Sequence, residues 1–125
     1  MKKNESAENY LETIYILSKK LPVVRSVDIA TELNFKKPSV SVAMKHLREK
    51  NLITVSSAGF ITLTDEGKAM AESIYERHTV LTKMFVGLGV SEEVAAEDAC
   101  QIEHVLSDEC FEAIKKHLAE KTSEN

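Results

Sequence analysis

The chain has 125 residues, of which 43% are hydrophobic and 29% charged, as is ordinary for a soluble globular protein of one domain or two small lobes. No apolar run approaches the ~18 residues needed to span a membrane, and residues 1–5 lack the apolar core of an export signal. Cys100 and Cys110 are too few for a disulfide framework and are expected to be reduced thiols. These features predict a cytoplasmic protein with no membrane partner.

The net charge of −4 is unevenly distributed along the chain. Residues 19–50 hold eight lysines and arginines against three acids, a net charge of +5, whereas residues 65–125 hold six basic and fourteen acidic residues, a net charge of −8. A local basic block can neutralise phosphates even within an acidic chain. The charge pattern therefore keeps nucleic acid open as a partner.

Two helices are predicted before residue 34. The first runs from Ser6 to Leu21 on apolar residues at helical spacing, and Pro22 ends it. Ser26 is the predicted N-cap of a short second helix. The apolar contacts of this second helix are expected from Val27, Ile29, Ala30 and Leu33.

A third helix is predicted from Pro38-Ser39 to about Lys50, after a turn over residues 34–37. Strands at 52–55 and 60–63 then form a hairpin with a glycine in the turn. Two short helices, a recognition helix and a hairpin predict a winged helix-turn-helix. This fold binds DNA in some proteins and other proteins in others.

The remaining chain predicts three more helices. A Thr64 cap opens a long one to about Gly87, Ser91 opens one that ends near Leu106, and Ser107 caps the last. Residues 122–125 are a polar tail.

The stretch Cys100-Gln-Ile-Glu-His carries the clearest chemistry. On a helix, Cys100, Glu103 and His104 would share a face at i, i+3 and i+4 spacing, and thiolate, carboxylate and imidazole together suit a transition metal. On residue types alone, a lone cysteine on a helix is usually a small core residue. A single histidine such as His78 is typically structural, and Asn9 with Glu12 is typical of a solvated polar helix face.

Several motifs in order resemble the iron-dependent-repressor family, of the diphtheria toxin repressor and manganese transport regulator type. They are residues 9–15 (Asn-Tyr-Leu-Glu-Thr-Ile-Tyr), 38–41 (Pro-Ser-Val-Ser), 63–67 (Leu-Thr-Asp-Glu-Gly), 77–78 (Arg-His) and 103–108 (Glu-His-Val-Leu-Ser-Asp). The resemblance implies a mainly α fold, with a winged helix-turn-helix DNA-binding domain at 1–64 and a helical metal-binding and dimerisation domain at 65–125. The length is that of the short branch, without an SH3-like domain.

The resemblance also implies the functional residues. The metal ligands would be Asn9, Glu12, His78, Cys100, Glu103 and His104. The DNA contacts would come from Lys36, Lys37, Ser39, Ser41, Val42, Lys45 and Arg48.

This chain departs from its relatives at three points. Asn9 stands where they have Asp or Met, and Cys100 is the choice of the iron branch, where manganese sensors have a carboxylate. Residues 79–82 lack an acid, and Ala96 replaces a histidine, at positions that hold a second metal in relatives. One principal metal per subunit is therefore expected.

The sequence thus predicts a metal-dependent transcriptional repressor that binds a palindromic double-stranded DNA operator as a homodimer. Its co-repressor would be a divalent transition metal, Fe(II) before Mn(II), while Co, Ni or Zn would bind in vitro. The alternatives are a manganese(II)-responsive regulator of the same family and a metal-independent winged-helix repressor with an apolar ligand pocket. A small metalloenzyme is disfavoured because no His-Glu-x-x-His or comparable pattern is present, so neither an enzyme nor a small-molecule substrate is expected.

Overall fold

The computed structural model describes residues 6–123, which form six helices and one two-stranded antiparallel sheet. The elements are α1 (Ala7–Lys20), α2 (Ser26–Leu33), α3 (Lys37–Glu49), β1 (Ile53–Val55), β2 (Ile61–Leu63), α4 (Asp65–Gly87), α5 (Glu92–Ile102) and α6 (Asp108–Ser123). This order confirms the predicted fold class, a winged helix-turn-helix followed by a helical region. Residues 1–5, which carry the expectation of no export signal, and Glu124 and Asn125 of the predicted polar tail lie outside the described residues.

The chain divides into two compact units between Ser73 and Ile74, inside α4. The predicted domain boundary at 64/65 stays a prediction. Among the described helices, none is both long and apolar enough to cross a membrane.

The core of the first unit is built from the apolar faces of its three helices. Leu11 and Ile14 of α1, Ile29 of α2 and Val40 of α3 are completely buried. Ser6 begins this arrangement as the N-cap of α1, where its hydroxyl accepts a hydrogen bond from the Asn9 N–H at 3.2 Å. The predicted helical spacing of the apolar residues is therefore what brings the three helices together.

The start of α2 corrects the sequence-based expectation in two places. Ser26 is the first helical residue and not the N-cap, which is Arg25. The Asp28 carboxylate accepts the Arg25 backbone N–H at 2.9 Å, which is the bond that an acid at N3 makes in a capping box. Val27, expected to pack inward, is 44% exposed because it lies on the outer face of the short helix.

The hairpin pairs Ile53 with Leu63 and Val55 with Ile61. Gly59 lies in its turn at φ +84°, a conformation that L side chains rarely adopt. The Ile61 N–H also donates to the Val24 carbonyl at 2.8 Å, so the segment after α1 pairs with the outer side of β2.

The junction between the hairpin and α4 is closely packed. Gly67, in the first turn of α4, lies so near the hairpin that an added Cβ would stand 2.0 Å from the Leu52 carbonyl oxygen. The Thr64 hydroxyl accepts the Gly67 N–H at 3.1 Å and donates to the Asn51 carbonyl at 2.9 Å. A residue without a side chain is therefore required at position 67.

The second unit contains the end of α4 with α5 and α6. The serine caps are confirmed: the Ser91 hydroxyl accepts the Val94 N–H at 3.4 Å, and the Ser107 hydroxyl accepts the Cys110 N–H at 3.1 Å. Two predicted ends are wrong. α5 ends at Ile102 and not near Leu106, and α6 continues to Ser123, so half of the predicted polar tail is helical.

Candidate metal centre and nucleic-acid interface

α3 presents an exposed polar face opposite its buried one. Every predicted DNA-contact residue is exposed, namely Lys36, Lys37, Ser39, Ser41, Val42, Lys45 and Arg48. Residues three and four apart lie on the same side of a helix, so Lys37, Ser41, Lys45 and Arg48 form one stripe, which we call the basic stripe. This stripe is a surface on which phosphates could be bound.

A second stripe runs beside the basic one. Ser39, Val42 and His46 recur at the same spacing, and we call them the mixed stripe. All three line a concavity of about 440 Å³, together with Tyr10 of α1. The sequence analysis did not select His46, although its position four residues after Val42 was a signal that could have found it.

The second unit holds a buried carboxylate between two imidazoles. Glu103 is 0% exposed. One of its oxygens, Oε2, accepts a hydrogen bond from Nδ1 of His78 at 2.9 Å, and the other, Oε1, lies 3.4 Å from Nε2 of His104. The side chain of His104 is 5% exposed and that of His78 is 30% exposed. The structure therefore joins three of the predicted metal ligands, one from α4 and two from the segment after α5.

The local backbone explains how neighbouring residues reach the same place. Glu103 keeps helical angles (φ −55°, ψ −27°), and its N–H bonds to the Ala99 carbonyl, although the helix itself ends one residue earlier. The chain then turns, and the N–H groups of Val105 and Leu106 both bond to the Ile102 carbonyl. Glu103 thus points as a helical residue would, while His104 is placed by the turn.

Cys100 is half-buried in the last turn of α5. Among the described donors, the Cys100 thiol, the Glu103 carboxylate and His104 do not all lie within 4.8 Å of one another. The role of Cys100 as a ligand stays a prediction, as does that of His78 and of the α1 residues.

Asn9 and Glu12 of α1 do not form the solvated polar face that residue types alone suggested. They are 5% and 6% exposed, and Thr13 next to Glu12 is also buried. The Thr13 hydroxyl donates to the Asn9 carbonyl at 2.8 Å. A local pattern of polar residues cannot reveal such burial because tertiary packing decides it.

The donors present in the second unit fit a divalent cation. Glu103 Oε1 is buried and accepts no hydrogen bond from the described protein groups, and leaving such an oxygen unsatisfied normally costs about 1–3 kcal/mol or more. Carboxylate and imidazole are ligands that divalent transition metals accept. A cation beside this oxygen would remove the penalty.

A pocket of about 630 Å³ in the second unit adjoins His78. Its lining includes Thr79 and Thr82, from the 79–82 segment, and Ala96, where relatives are expected to place second-metal ligands. The Thr82 hydroxyl donates to the His78 carbonyl at 2.7 Å and so bonds within its own helix. These side chains offer poor replacements for a carboxylate and an imidazole, and one principal metal stays the prediction.

Two family models match successive parts of the chain. The iron dependent repressor N-terminal DNA binding domain matches residues 3–59, and the iron dependent repressor metal binding and dimerisation domain matches residues 64–123. Together they cover nearly all of the sequence.

Individual relatives agree with these matches. An uncharacterized HTH-type transcriptional regulator of Methanocaldococcus jannaschii is 34% identical, over 90% of this chain and 91% of its own. Transcriptional regulator MntR of Escherichia coli O6:H1 is 33% identical, over 90% and 73%. A solved manganese-dependent transcriptional repressor in complex with manganese has a TM-score of 0.85 to this chain at 26% sequence identity. The match covers 91% of this chain and 53% of that one, so this chain spans about half the length of that structure. The chain belongs to the iron-dependent repressor family of metal-dependent, DNA-binding transcriptional repressors.

Proposed function

We propose that this chain represses transcription as a homodimer on a palindromic operator, with one divalent metal per subunit as co-repressor, Fe(II) in preference to Mn(II). The observation that carries the proposal is the buried Glu103 carboxylate between His78 and His104, in the same chain as an exposed basic stripe on α3. The buried carboxylate suits a cation and the basic stripe suits DNA phosphates, so a single chain holds both of the sites that metal-dependent repression would couple.

The proposed ligand set extends beyond the buried cluster. In the proposed complex His78, Glu103 and His104 all coordinate the ion, which would replace the hydrogen bond that His78 Nδ1 donates to the Glu103 carboxylate in the metal-free chain. Cys100, Asn9 and Glu12 complete the set as the family resemblance implies. A bound ion would supply positive charge and coordination bonds that these groups share.

The coupling follows from where the ligands lie in the sequence. Glu12 belongs to the first unit, and Glu103 belongs to the second. A ligand can shift an equilibrium only through different affinities for two states. Groups from both units can bind one ion only in a restricted set of relative placements. The ligands would in this way fix the distance between the recognition helices of a dimer, which must match a whole number of DNA turns.

The two stripes of α3 divide the work of DNA binding. In the basic stripe, Lys37, Lys45 and Arg48 would neutralise phosphates and supply the salt-dependent part of the affinity. Lys36, at the N-cap, would add to it. In the mixed stripe, the 54%-exposed Val42 offers methyl groups, which suit the 5-methyl of thymine better than any hydrogen-bonding base edge.

Manganese(II) is the second candidate co-repressor. The similarity to a repressor solved with manganese supports it, whereas the matching family models carry the name of iron. We favour Fe(II) because Cys100 adds a soft thiolate that suits iron better than manganese, and neutral Asn9 adds no charge for a hard ion. The role is that of a DNA-binding regulator and not of an enzyme.

The test is operator binding under controlled metal. DNA sites are first selected from a random duplex pool by the protein loaded with Mn(II), and affinity is then measured by fluorescence anisotropy, anaerobically, with free Fe(II), Mn(II), Co(II) or Zn(II) buffered. Chelation should weaken specific binding roughly 10–100-fold, within the usual range of coupling between sites. Equal affinity with and without chelator would contradict the proposal, and stronger activation by Mn(II) than by Fe(II) would select the second candidate.

A further inference from the structure

Arg77 is a buried side chain of the second unit that makes several polar contacts and is not one of the proposed metal ligands. It is 9% exposed and directly precedes His78 on α4. Its Nη1 donates to the Glu103 carbonyl at 3.4 Å and to the Leu106 carbonyl, and its Nη2 donates to the Asp108 carboxylate. Its guanidinium also lies over the Phe111 ring, 5.2 Å from the ring centre.

These contacts fall on the turn between α5 and α6 and on the first residues of α6. The last carbonyls of a helix have no partner within the helix and must find donors elsewhere. Here the guanidinium donates to the carbonyl of Glu103, the C-cap of α5, and to that of Leu106 in the turn, so it bonds on both sides of His104. The turn that carries two proposed ligands is thus fastened to α4.

Glu103 is held twice by neighbouring residues of one helix. Arg77 bonds to its carbonyl, and His78 bonds to its carboxylate. With both the backbone and the side chain fixed, the buried carboxylate has one orientation relative to α4. Such prior ordering lowers the cost of arranging ligands around an ion.

We infer that Arg77 is a positioning residue for the metal centre: it holds the 103–106 turn so that Glu103 and His104 are arranged for an ion before it binds. The inference rests on the proposed function. Partners that orient metal ligands typically contribute roughly 10–100-fold to metal affinity. Arg77→Gln should therefore weaken Co(II) binding by about that factor. Arg77→Lys keeps the charge without the fork and should give an intermediate loss.

The experiment titrates Co(II) into the metal-free full-length chain and records affinity and the visible absorption of the bound ion, with thermal unfolding of each metal-free variant alongside. The absorption spectrum reports ligand geometry, which a merely structural residue would leave unchanged. Lys115→Gln is the matched control. It breaks an α4–α6 ion pair to Glu76, at 3.1 Å, that is about half exposed and does not touch the turn, and it should leave affinity and spectrum unchanged.

The expected result is weaker Co(II) binding and an altered spectrum for Arg77→Gln, with Lys115→Gln like wild type. A folded Arg77→Gln that binds Co(II) with wild-type affinity and spectrum would overturn the inference and leave Arg77 a packing residue. If Arg77→Gln does not fold, Arg77→Lys decides in the same way. Failure of the wild-type chain to bind Co(II) would instead overturn the proposed function, so the two failures are distinct.

Discussion

Replacing Glu103 by glutamine tests the metal centre through stability alone. The substitution keeps the shape of the side chain and the acceptor for His78, while it removes the negative charge. In the metal-free chain, the His78 bond at 2.9 Å changes from charge-assisted to neutral, a loss of about 1 kcal/mol. Against this, a completely buried carboxylate carries a desolvation cost of several kcal/mol that the amide avoids. The metal-free Glu103→Gln chain should therefore be at least as stable as wild type.

With metal bound, the wild-type chain should instead be more stable than Glu103→Gln. At a free metal concentration 100 times the dissociation constant, the wild-type chain gains about 2.7 kcal/mol. For a chain of this size this corresponds to an increase in Tm of roughly 10 °C. If the substitution weakens binding about 100-fold, the same metal concentration gives only about 0.4 kcal/mol, and the shift in Tm almost disappears.

Calorimetry of both chains, with chelator and with buffered Mn(II) or Co(II), measures the four unfolding temperatures. Glu97→Gln is the control because Glu97 is an exposed acid of α5, the helix that ends directly before Glu103, and its metal response should equal that of wild type. Two results would refute the reasoning. An unchanged metal-induced shift in Glu103→Gln would mean that Glu103 is not a ligand, and a loss of several kcal/mol without metal would mean that the carboxylate serves mainly to bind His78.

Three further predictions test other parts of the account. In anaerobic metal titrations, Cys100→Ala should abolish activation of operator binding by Fe(II), and Cys100→Glu should shift activation toward Mn(II). The control Cys110→Ala, at an exposed cysteine, should respond like wild type. A normal iron response of Cys100→Ala would make Cys100 a core residue. Lys37→Ala should weaken binding to specific and random DNA alike and lower the slope of log affinity against log salt by up to about one, and an unchanged slope would place the phosphate contacts elsewhere. Gly67→Ala places a Cβ 2.0 Å from the backbone oxygen of Leu52, so denaturant unfolding should show a loss of about 1–3 kcal/mol or more; a neutral effect would show that the junction can relax.

The winged helix was predictable because its signals are local. Apolar spacing placed Leu11, Ile14, Val40 and Met44 in the core, and the hairpin turn contains a glycine at positive φ. These features depend on residues within one turn or one hairpin of each other.

Two of the errors fall where distant residues decide. α5 ends at Ile102, and Arg77, 26 positions before Glu103, donates to the Glu103 carbonyl, which in a longer helix would accept the N–H four residues on. Burial of Glu12 is likewise a property of packing and not of its neighbours in sequence.

The candidate site was predictable only in part. The spacing of Glu103 and His104 pointed to a shared face, and the structure joins them, but it does so through a turn in place of a continuous helix. His78 was typical of a structural residue by sequence alone, and only the resemblance selected it before its bond to Glu103 was seen. The sequence analysis gave Arg77 no role within the Arg-His motif, because the carbonyl to which it donates, that of Leu106, lies far away in the sequence.

The central claim is that metal and operator stabilise the same state of the protein, and reciprocity offers its most direct test. Co(II) affinity is measured by titration of the dimer alone and of the dimer saturated with operator duplex, with a scrambled duplex of equal length as control. The account predicts that operator tightens Co(II) binding by the same factor, roughly 10–100, by which Co(II) tightens operator binding. Equal Co(II) affinity with operator, with scrambled duplex and without DNA would contradict it.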